Sequence, residues 1–222
     1  MALENIDFVG NSNQRTPCIV VLDTSGSMAG EPIRELNEGV RALHQALNED
    51  THALTHVSLC LITAGGSGAE VLMDWTDATQ FQPVDMQAAG VTPLGAALIL
   101  ALDRVEQYKG ECRAQGIQYT RPWLFFITDG SPTDSDTTWA EAIRRCKEAE
   151  VGKKAVIFPI TVQNGDQQKI SEVTSRQVVQ MTGLNFKEFF VWLSGSLGSA
   201  SRQAPGTDVQ LPSINSWANV QA

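Results

Sequence analysis

Asp23, Ser25 and Ser27 alternate in the stretch Asp23-Thr-Ser-Gly-Ser-Met28. One carboxylate and two hydroxyls are hard oxygen ligands, and such ligands suit a hard divalent cation, Mg²⁺ above all. Gly26 lets the chain turn tightly between the serines. A plainer reading is that one serine hydroxyl caps the helix that follows. The two readings separate on whether further oxygen ligands arise at matching places. Thr92, just before Pro93, and Asp129, just before Gly130, are the candidates. Each also has a plain reading, Thr92 as an N-cap and Asp129-Gly130 as a turn pair. Jointly they would bring five hard oxygens to three loop tips, which capping and turn chemistry do not account for.

The elements that must position these groups follow from the hydrophobic pattern. Cys18-Ile-Val-Val-Leu22 is a short apolar run rich in β-branched residues, so a buried first strand is predicted over about 17–23, with Asp23 at its carboxyl end. Ile33, Leu36, Val40, Leu43 and Leu47 recur three or four apart, predicting a helix over about 31–49 with Pro32 in its first turn. A second strand is expected over about 55–63 and a third over about 69–74. The Gly-rich turn between them is too short for a crossover helix, so this pair should be antiparallel and the third strand an edge. Residues 75–91 read as irregular. A second helix is expected over about 93–108, closed by Tyr108-Lys-Gly110. Arg121 to Thr128 is almost wholly apolar, as a central parallel strand should be, and it ends on Asp129. Thr138-Trp-Ala-Glu141 reads as a capping box opening a helix over about 138–149. A fifth strand follows over about 154–162, where Pro159 implies a bulge or a place near an edge. A short helix (166–174), a sixth strand (177–181) and a last helix (185–195) complete the pattern.

Strands alternating with helices imply an α/β fold: a doubly wound, mostly parallel six-stranded sheet with one antiparallel edge strand, flanked by helices in a Rossmann-like arrangement. Residues 1–16 read as an extended N-terminal segment pinned by Ile6 and Phe8, 17–202 as the folded domain, and 203–222 as a tail without regular structure. In that tail Leu211, Ile214 and Trp217 could dock on the domain or anchor a partner.

Composition removes several function classes. The 222 residues carry a formal net charge of −9, which argues against nucleic acid as a partner. No apolar run approaches the roughly 18 residues of a membrane span, and the acidic N-terminus lacks the features of a signal peptide, so a cytoplasmic protein is expected. Cys18, Cys60, Cys112 and Cys146 form no C-x-x-C pair, and His44, His52 and His56 are the only histidines, so no structural zinc site is expected.

The set Asp23-x-Ser25-x-Ser27, Thr92 and Asp129-Gly130 resembles the metal-ion-dependent adhesion site of von Willebrand factor A domains, and the resemblance covers about residues 17–200. Leu22 to Met28, Glu31-Pro32, Gly90-Val-Thr-Pro-Leu-Gly95, Thr128-Asp-Gly130 and the Pro/Trp tail are similar to the bacterial cytosolic group that includes the tellurium-resistance TerY proteins and YegL. The resemblance implies that Ser25, Ser27 and Thr92 offer hydroxyl oxygens, and that Asp23 and Asp129 contact the metal directly or through water. It also implies a role in stress-response or phosphorylation-linked systems with kinase-like and phosphatase-like partners. Two carboxylates roughly neutralise a divalent ion, and Mg²⁺ keeps waters, which leaves a position for a partner's Asp or Glu. Mn²⁺ and Ca²⁺ are the alternatives to Mg²⁺.

The function expected is a non-catalytic, metal-dependent protein-interaction module. A Mg²⁺-dependent phosphohydrolase is the rival, because some such enzymes place an Asp at a strand end beside Mg²⁺. That chemistry wants a second acid two residues on, where this chain has Ser25, and no histidine is expected near the loops. A scaffold with an incidental metal is the third reading. Asp134 and Asp136 lack the glycine and glutamate spacing of a calcium loop and are expected at helix entries.

Overall fold

A computed structural model describes residues 5–163, 165–204 and 211–219. One sheet runs through the molecule in the order β3-β2-β1-β4-β5-β6-β7. Its strands are β1 (Thr16–Thr24), β2 (Val57–Gly65), β3 (Gly68–Asp77), β4 (Trp123–Thr128), β5 (Val156–Thr161), β6 (Val179–Met181) and β7 (Ala218–Asn219). β2-β1-β4-β5-β6 are parallel, and β3 is antiparallel to β2 at one edge, as expected. β1 pairs with both β2 and β4, so the strand order reverses there and a crevice opens beyond their carboxyl ends, where open α/β sheets bind ligands.

Helices cover both faces. α1 (Glu31–Glu49), α2 (Thr51–His56) and α6 (Phe186–Ser201) pack on the face built from Val20, Leu22, Leu59 and Phe125. α3 (Leu94–Ala114) and α4 (Asp136–Val151) pack on the face built from Ile19, Val21, Ile62 and Phe126, with the one-turn α5 (Gln167–Ile170) beside them. All nine residues of β1 are buried, which explains its unbroken apolar run: both of its faces are covered. Among the described residues, no helix is long and apolar enough to cross a membrane.

The structure departs from the sequence expectations in several places, each with a local cause. Thr55 and His56 belong to α2 rather than to the second strand, because Asp50 does not merely end α1: its carboxylate accepts from the amides of His52 and Ala53 and starts a new helix. α3 does not stop at Gly110 but runs to Ala114, since Tyr108 and Cys112 are fully buried against the sheet and that packing outweighs the helix-weakening glycine. α4 opens at Asp136 with Ser135 as its cap, whose hydroxyl accepts from the Thr138 amide, so Thr138 is inside the first turn instead of capping it. α6 likewise extends beyond 195 to Ser201. Pro159 causes no bulge: β4 and β5 stay in register from Trp123↔Val156 to Thr128↔Thr161, while β6 pairs only with Ile160 and Thr161 and leaves Pro159 outside that ladder.

The tail is the largest difference. It was expected to lack regular structure, yet Ala218–Asn219 pairs antiparallel with β6 and adds a seventh strand at the far edge. Trp217 is 1% exposed and packs against Phe189 and Trp192 of α6. At the other end of the chain, Ile6 is buried and Phe8 packs partly on the core, as expected.

Candidate metal centre

The five sequence-predicted residues sit at one end of the sheet, Asp23 near the end of β1 and the other four on loops beyond the strand termini. Asp23 is the penultimate residue of β1 and is 1% exposed. Its Oδ1 accepts from the Ser25 amide at 2.9 Å, and its Oδ2 accepts from the Thr128 hydroxyl at 2.5 Å. The first bond is local to the loop after β1; the second follows from β1 and β4 being neighbours, paired as far as Leu22↔Ile127. Each carboxylate oxygen retains a second lone pair, so the bonds orient Asp23 without using it up.

Neither serine caps a helix. Ser25 precedes a short 3-10 turn, Gly26–Met28, and makes no capping bond; Gly30, which has no side chain, precedes α1. The hydroxyls instead form a chain, with Ser25 Oγ 2.9 Å from Ser27 Oγ and Ser27 Oγ donating to Asp129 Oδ1 at 2.7 Å. Asp129 is therefore joined to the first loop across the crest. Burial, set against the Ser27 hydrogen bond and reinforced by the nearby Asp23 charge, lifts the Asp129 carboxyl above the ordinary range.

Thr92 is not the cap of α3. Pro93 occupies that position, and the amides of Gly95 and Ala96 are met by the Asp134 carboxylate from the loop after β4. Asp136 lies in the first turn of α4 and Asp134 serves the entry of α3, so both have the helix-entry roles expected. The Thr92 backbone is held by a reciprocal pair, its amide donating to Thr133 Oγ1 at 3.0 Å and its carbonyl accepting from the Thr133 amide at 2.9 Å. That pair brings its hydroxyl beside the Asp129-Gly130 turn: a Cβ built on Gly130 would stand 3.8 Å from Thr92 Oγ1.

The third strap is backbone. Gly26 N donates to Gly90 O at 3.1 Å, Ala89 N to Thr24 O at 2.9 Å, and Gly66 N to Ala89 O at 2.6 Å. Gly90 has φ +72°, and a Cβ there would fall 2.0 Å from Gly66 O. Only glycine fits that crossing. Thr128, Thr133, Asp134 and Gly90 are thus the supporting residues that reading for metal ligands did not single out for these roles. A hydroxyl next to the strand-terminal Asp129 was the one sequence signal for Thr128.

The donor set fits a divalent cation. Two carboxylates and three hydroxyls are all hard oxygens, and among the described residues neither Asp23 nor Asp129 forms an ion pair with Lys, Arg or His. No group of three or more His, Cys, Asp or Glu side chains converges anywhere among the described residues, so hydroxyls must complete any such site here. Exposure rises outward: Asp23, Ser25 and Thr92 are buried, Asp129 is half-buried and Ser27 is exposed. The three histidines lie elsewhere. His44 packs on Phe81, and His52 and His56 stack on each other before the start of β2, opposite the crest.

No protein-family model matches the sequence, and no curated protein does. Solved structures do. A structure described as von Willebrand factor type A from Catenulispora acidiphila superposes with a TM-score of 0.64 at 14% identity, over 84% of this chain and 43% of that one. Proximal thread matrix protein 1 of the mussel byssus, described with a zinc-occupied MIDAS motif, gives 0.55 at 13% identity, over 84% and 48%. Manganese-loaded TRAP protein of Plasmodium vivax gives 0.53 at 16% identity, over 82% and 74%. The fold is that of a von Willebrand factor type A domain. The chain spans less than half the length of the first two of these proteins.

Proposed function

We propose that the crest is a metal-dependent adhesion site, and that the chain is a non-catalytic module that binds an acidic side chain of a protein partner through a Mg²⁺ ion. The observation that carries this reading is the hydroxyl chain Ser25–Ser27–Asp129, in which serines that could have capped helices are turned toward a carboxylate on another loop. Asp23, Ser25, Ser27, Thr92 and Asp129 would hold the ion. When bound, the ion supplies an electrophilic point that a partner's carboxylate can ligate. Asp23 is held in place by Thr128 and the Ser25 amide, and Thr92 by Thr133, so little ordering is needed when the ion arrives. Ser27 and half-buried Asp129 face outward, beside exposed Val91, and give a partner its approach. No imidazole stands near enough to act as a base, which favours binding over hydrolysis.

The relatives described with zinc and manganese favour a divalent ion; ligand hardness favours Mg²⁺. In this reading residues 17–202 are the interaction domain of a cytoplasmic bacterial protein of the TerY and YegL type, with kinase-like or phosphatase-like partners in a stress response. Calorimetry is the test. Wild type should take up Mg²⁺ with release by EDTA, and Asp23→Ala should not; equal uptake by both would remove the proposal. A pull-down from cytosol with Mg²⁺ should retain a partner that Thr92→Ala and EDTA both lose. Sustained Mg²⁺-dependent phosphatase turnover, abolished in Asp23→Ala, would favour the hydrolase instead.

A further inference from the structure

The backbone of Thr92 is saturated while its hydroxyl is free. The amide donates to Thr133 Oγ1 at 3.0 Å, and the carbonyl accepts from the Thr133 and Leu94 amides, both at 2.9 Å. Thr92 is only 6% exposed, yet its hydroxyl makes no hydrogen bond among the described residues. A buried hydroxyl normally finds a partner. Here the main chain is fixed on both sides and the one oxygen left over stands beside the Asp129-Gly130 turn.

The residue after Thr133 extends the same hold to the helix behind Thr92. Asp134 Oδ2 accepts from the Gly95 amide at 2.7 Å, and its Oδ1 accepts from the Ala96 amide at 2.9 Å. These are early amides of α3, which have no partner inside the helix. A Cβ on Gly95 would stand 3.0 Å from Asp134 Cγ, so the carboxylate comes this close because Gly95 has no side chain. A local cap would have stabilised α3 as well, as Ser135 does for α4. An acid from another loop does something a local cap does not. Thr133 and Asp134 follow Asp129 in one loop, so their bonds fix Thr92 relative to Asp129 before any ion arrives.

We propose, on the reading of the crest as a metal site, that Thr133 and Asp134 are positioning residues that make it selective for a small cation. Neither touches the ion; both act through Thr92. Mg²⁺ demands near-octahedral geometry at about 2.0–2.1 Å, whereas Ca²⁺ accepts irregular geometry at about 2.3–2.6 Å. Ligands free to drift apart therefore lose the smaller ion first, and the hold on Thr92 prevents that drift.

Calorimetry of the whole chain with Mg²⁺ and, separately, with Ca²⁺ is the test. Thr133→Val keeps the shape and the charge, removes the acceptor for the Thr92 amide and changes an exposed side chain, so it should fold normally. Asp134→Ala removes both acceptors for α3. Each should weaken Mg²⁺ by about tenfold, the lower end of what groups that orient metal ligands contribute. Ca²⁺ should weaken by about threefold or less, so that the preference for Mg²⁺ narrows. Ser135→Ala removes the cap of α4 one residue away and should leave both affinities within about twofold. In EDTA, hydrogen exchange at the Gly95 and Ala96 amides should quicken in Asp134→Ala and not in Ser135→Ala. Wild type that takes up no Mg²⁺ would remove the metal reading and this inference with it. Wild-type uptake would overturn this inference alone if both variants bind Mg²⁺ within about twofold of wild type, or if Mg²⁺ and Ca²⁺ weaken by the same factor. A loss in Asp134→Ala without one in Thr133→Val would also overturn it, since the acid would then act through its charge.

Discussion

The two ends of the sheet treat buried carboxylates differently. At the base, where β1 begins and β3 ends, Asp77 is 3% exposed and meets Arg15, itself fully buried, at 3.5 Å. Arg15 also donates to the carbonyls of Asp7, Asn11 and Thr55, and Asp77 accepts from the Ser58 hydroxyl and the Asp7 amide. Nearby, Asp50 caps α2 and accepts from Arg202 at the end of α6. Asp77 and Asp50 each have a cation within the chain. At the crest, Asp23 and Asp129 have hydroxyls and amides but, among the described residues, no cation. The contrast teaches how to read buried acids. Those that close the fold bring their own counter-charge; those at the crest, in the proposed reading, take one from outside.

Breaking the base should cost most. Arg15→Met leaves Asp77 buried without its cation, and urea unfolding should show a loss of about 3–5 kcal/mol, the usual cost of removing one partner of a buried pair. A loss below about 1 kcal/mol, the size of an exposed pair, would mean that the base is no different from the surface. Burial already holds the Asp77 carboxyl above the ordinary range despite Arg15, so this end has little reserve.

The crest should behave in the opposite way. Mg²⁺ at about 100 times its Kd should add about 2.7 kcal/mol to wild type by linkage, and nothing to Asp129→Asn. In EDTA the two proteins should unfold within about 0.5 kcal/mol of each other, since no internal ion pair is lost. A large loss in EDTA would show that Asp129 is structural after all.

A smaller effect is expected at Asp50. Burial lifts its carboxyl, but the Ala53 and His52 amides and Arg202 outweigh that and hold it below the ordinary range. A lowered acid stabilises the fold above its unfolded value of about 3.9, and that stability is lost as pH falls through the folded value. Asp50→Ala should therefore cost about 1 kcal/mol at pH 7, as loss of a cap does. The gap from wild type should close in acid; a gap that persists well below pH 3 would deny the carboxylate this role.

The smallest effect sharpens the comparison best. Ser27 is exposed, so Ser27→Ala should change metal-free stability by less than about 0.5 kcal/mol. It should still weaken Mg²⁺ several-fold by calorimetry, because its oxygen is a ligand candidate. Unchanged affinity would leave Ser27 as a mere bridge to Asp129.

Much of this architecture was legible before any coordinates. The covered strands β1 and β4 announced themselves as unbroken apolar runs, and α1 as a stripe three and four apart, because burial on two faces and on one face leaves different periods. The crest residues were legible for a related reason: an Asp at a strand end followed by alternating serines is a local arrangement. Thr92 was less so, since a threonine before a proline reads equally well as a cap. That reading failed only because Asp134, from another loop, already serves the first amides of α3.

Local chemistry in the chain, then, decided which segments are strands and helices, their order, and which oxygens end up on loops. It could not decide where helices stop when distant packing holds them, as Tyr108 and Cys112 hold α3 past Gly110. Nor could it decide that Arg15 would find Asp77, or that Trp217 would bury itself against α6 and add a strand to β6. Those outcomes depend on groups far apart in sequence becoming neighbours, and their free energy appears only once the sheet has assembled and removed them from water.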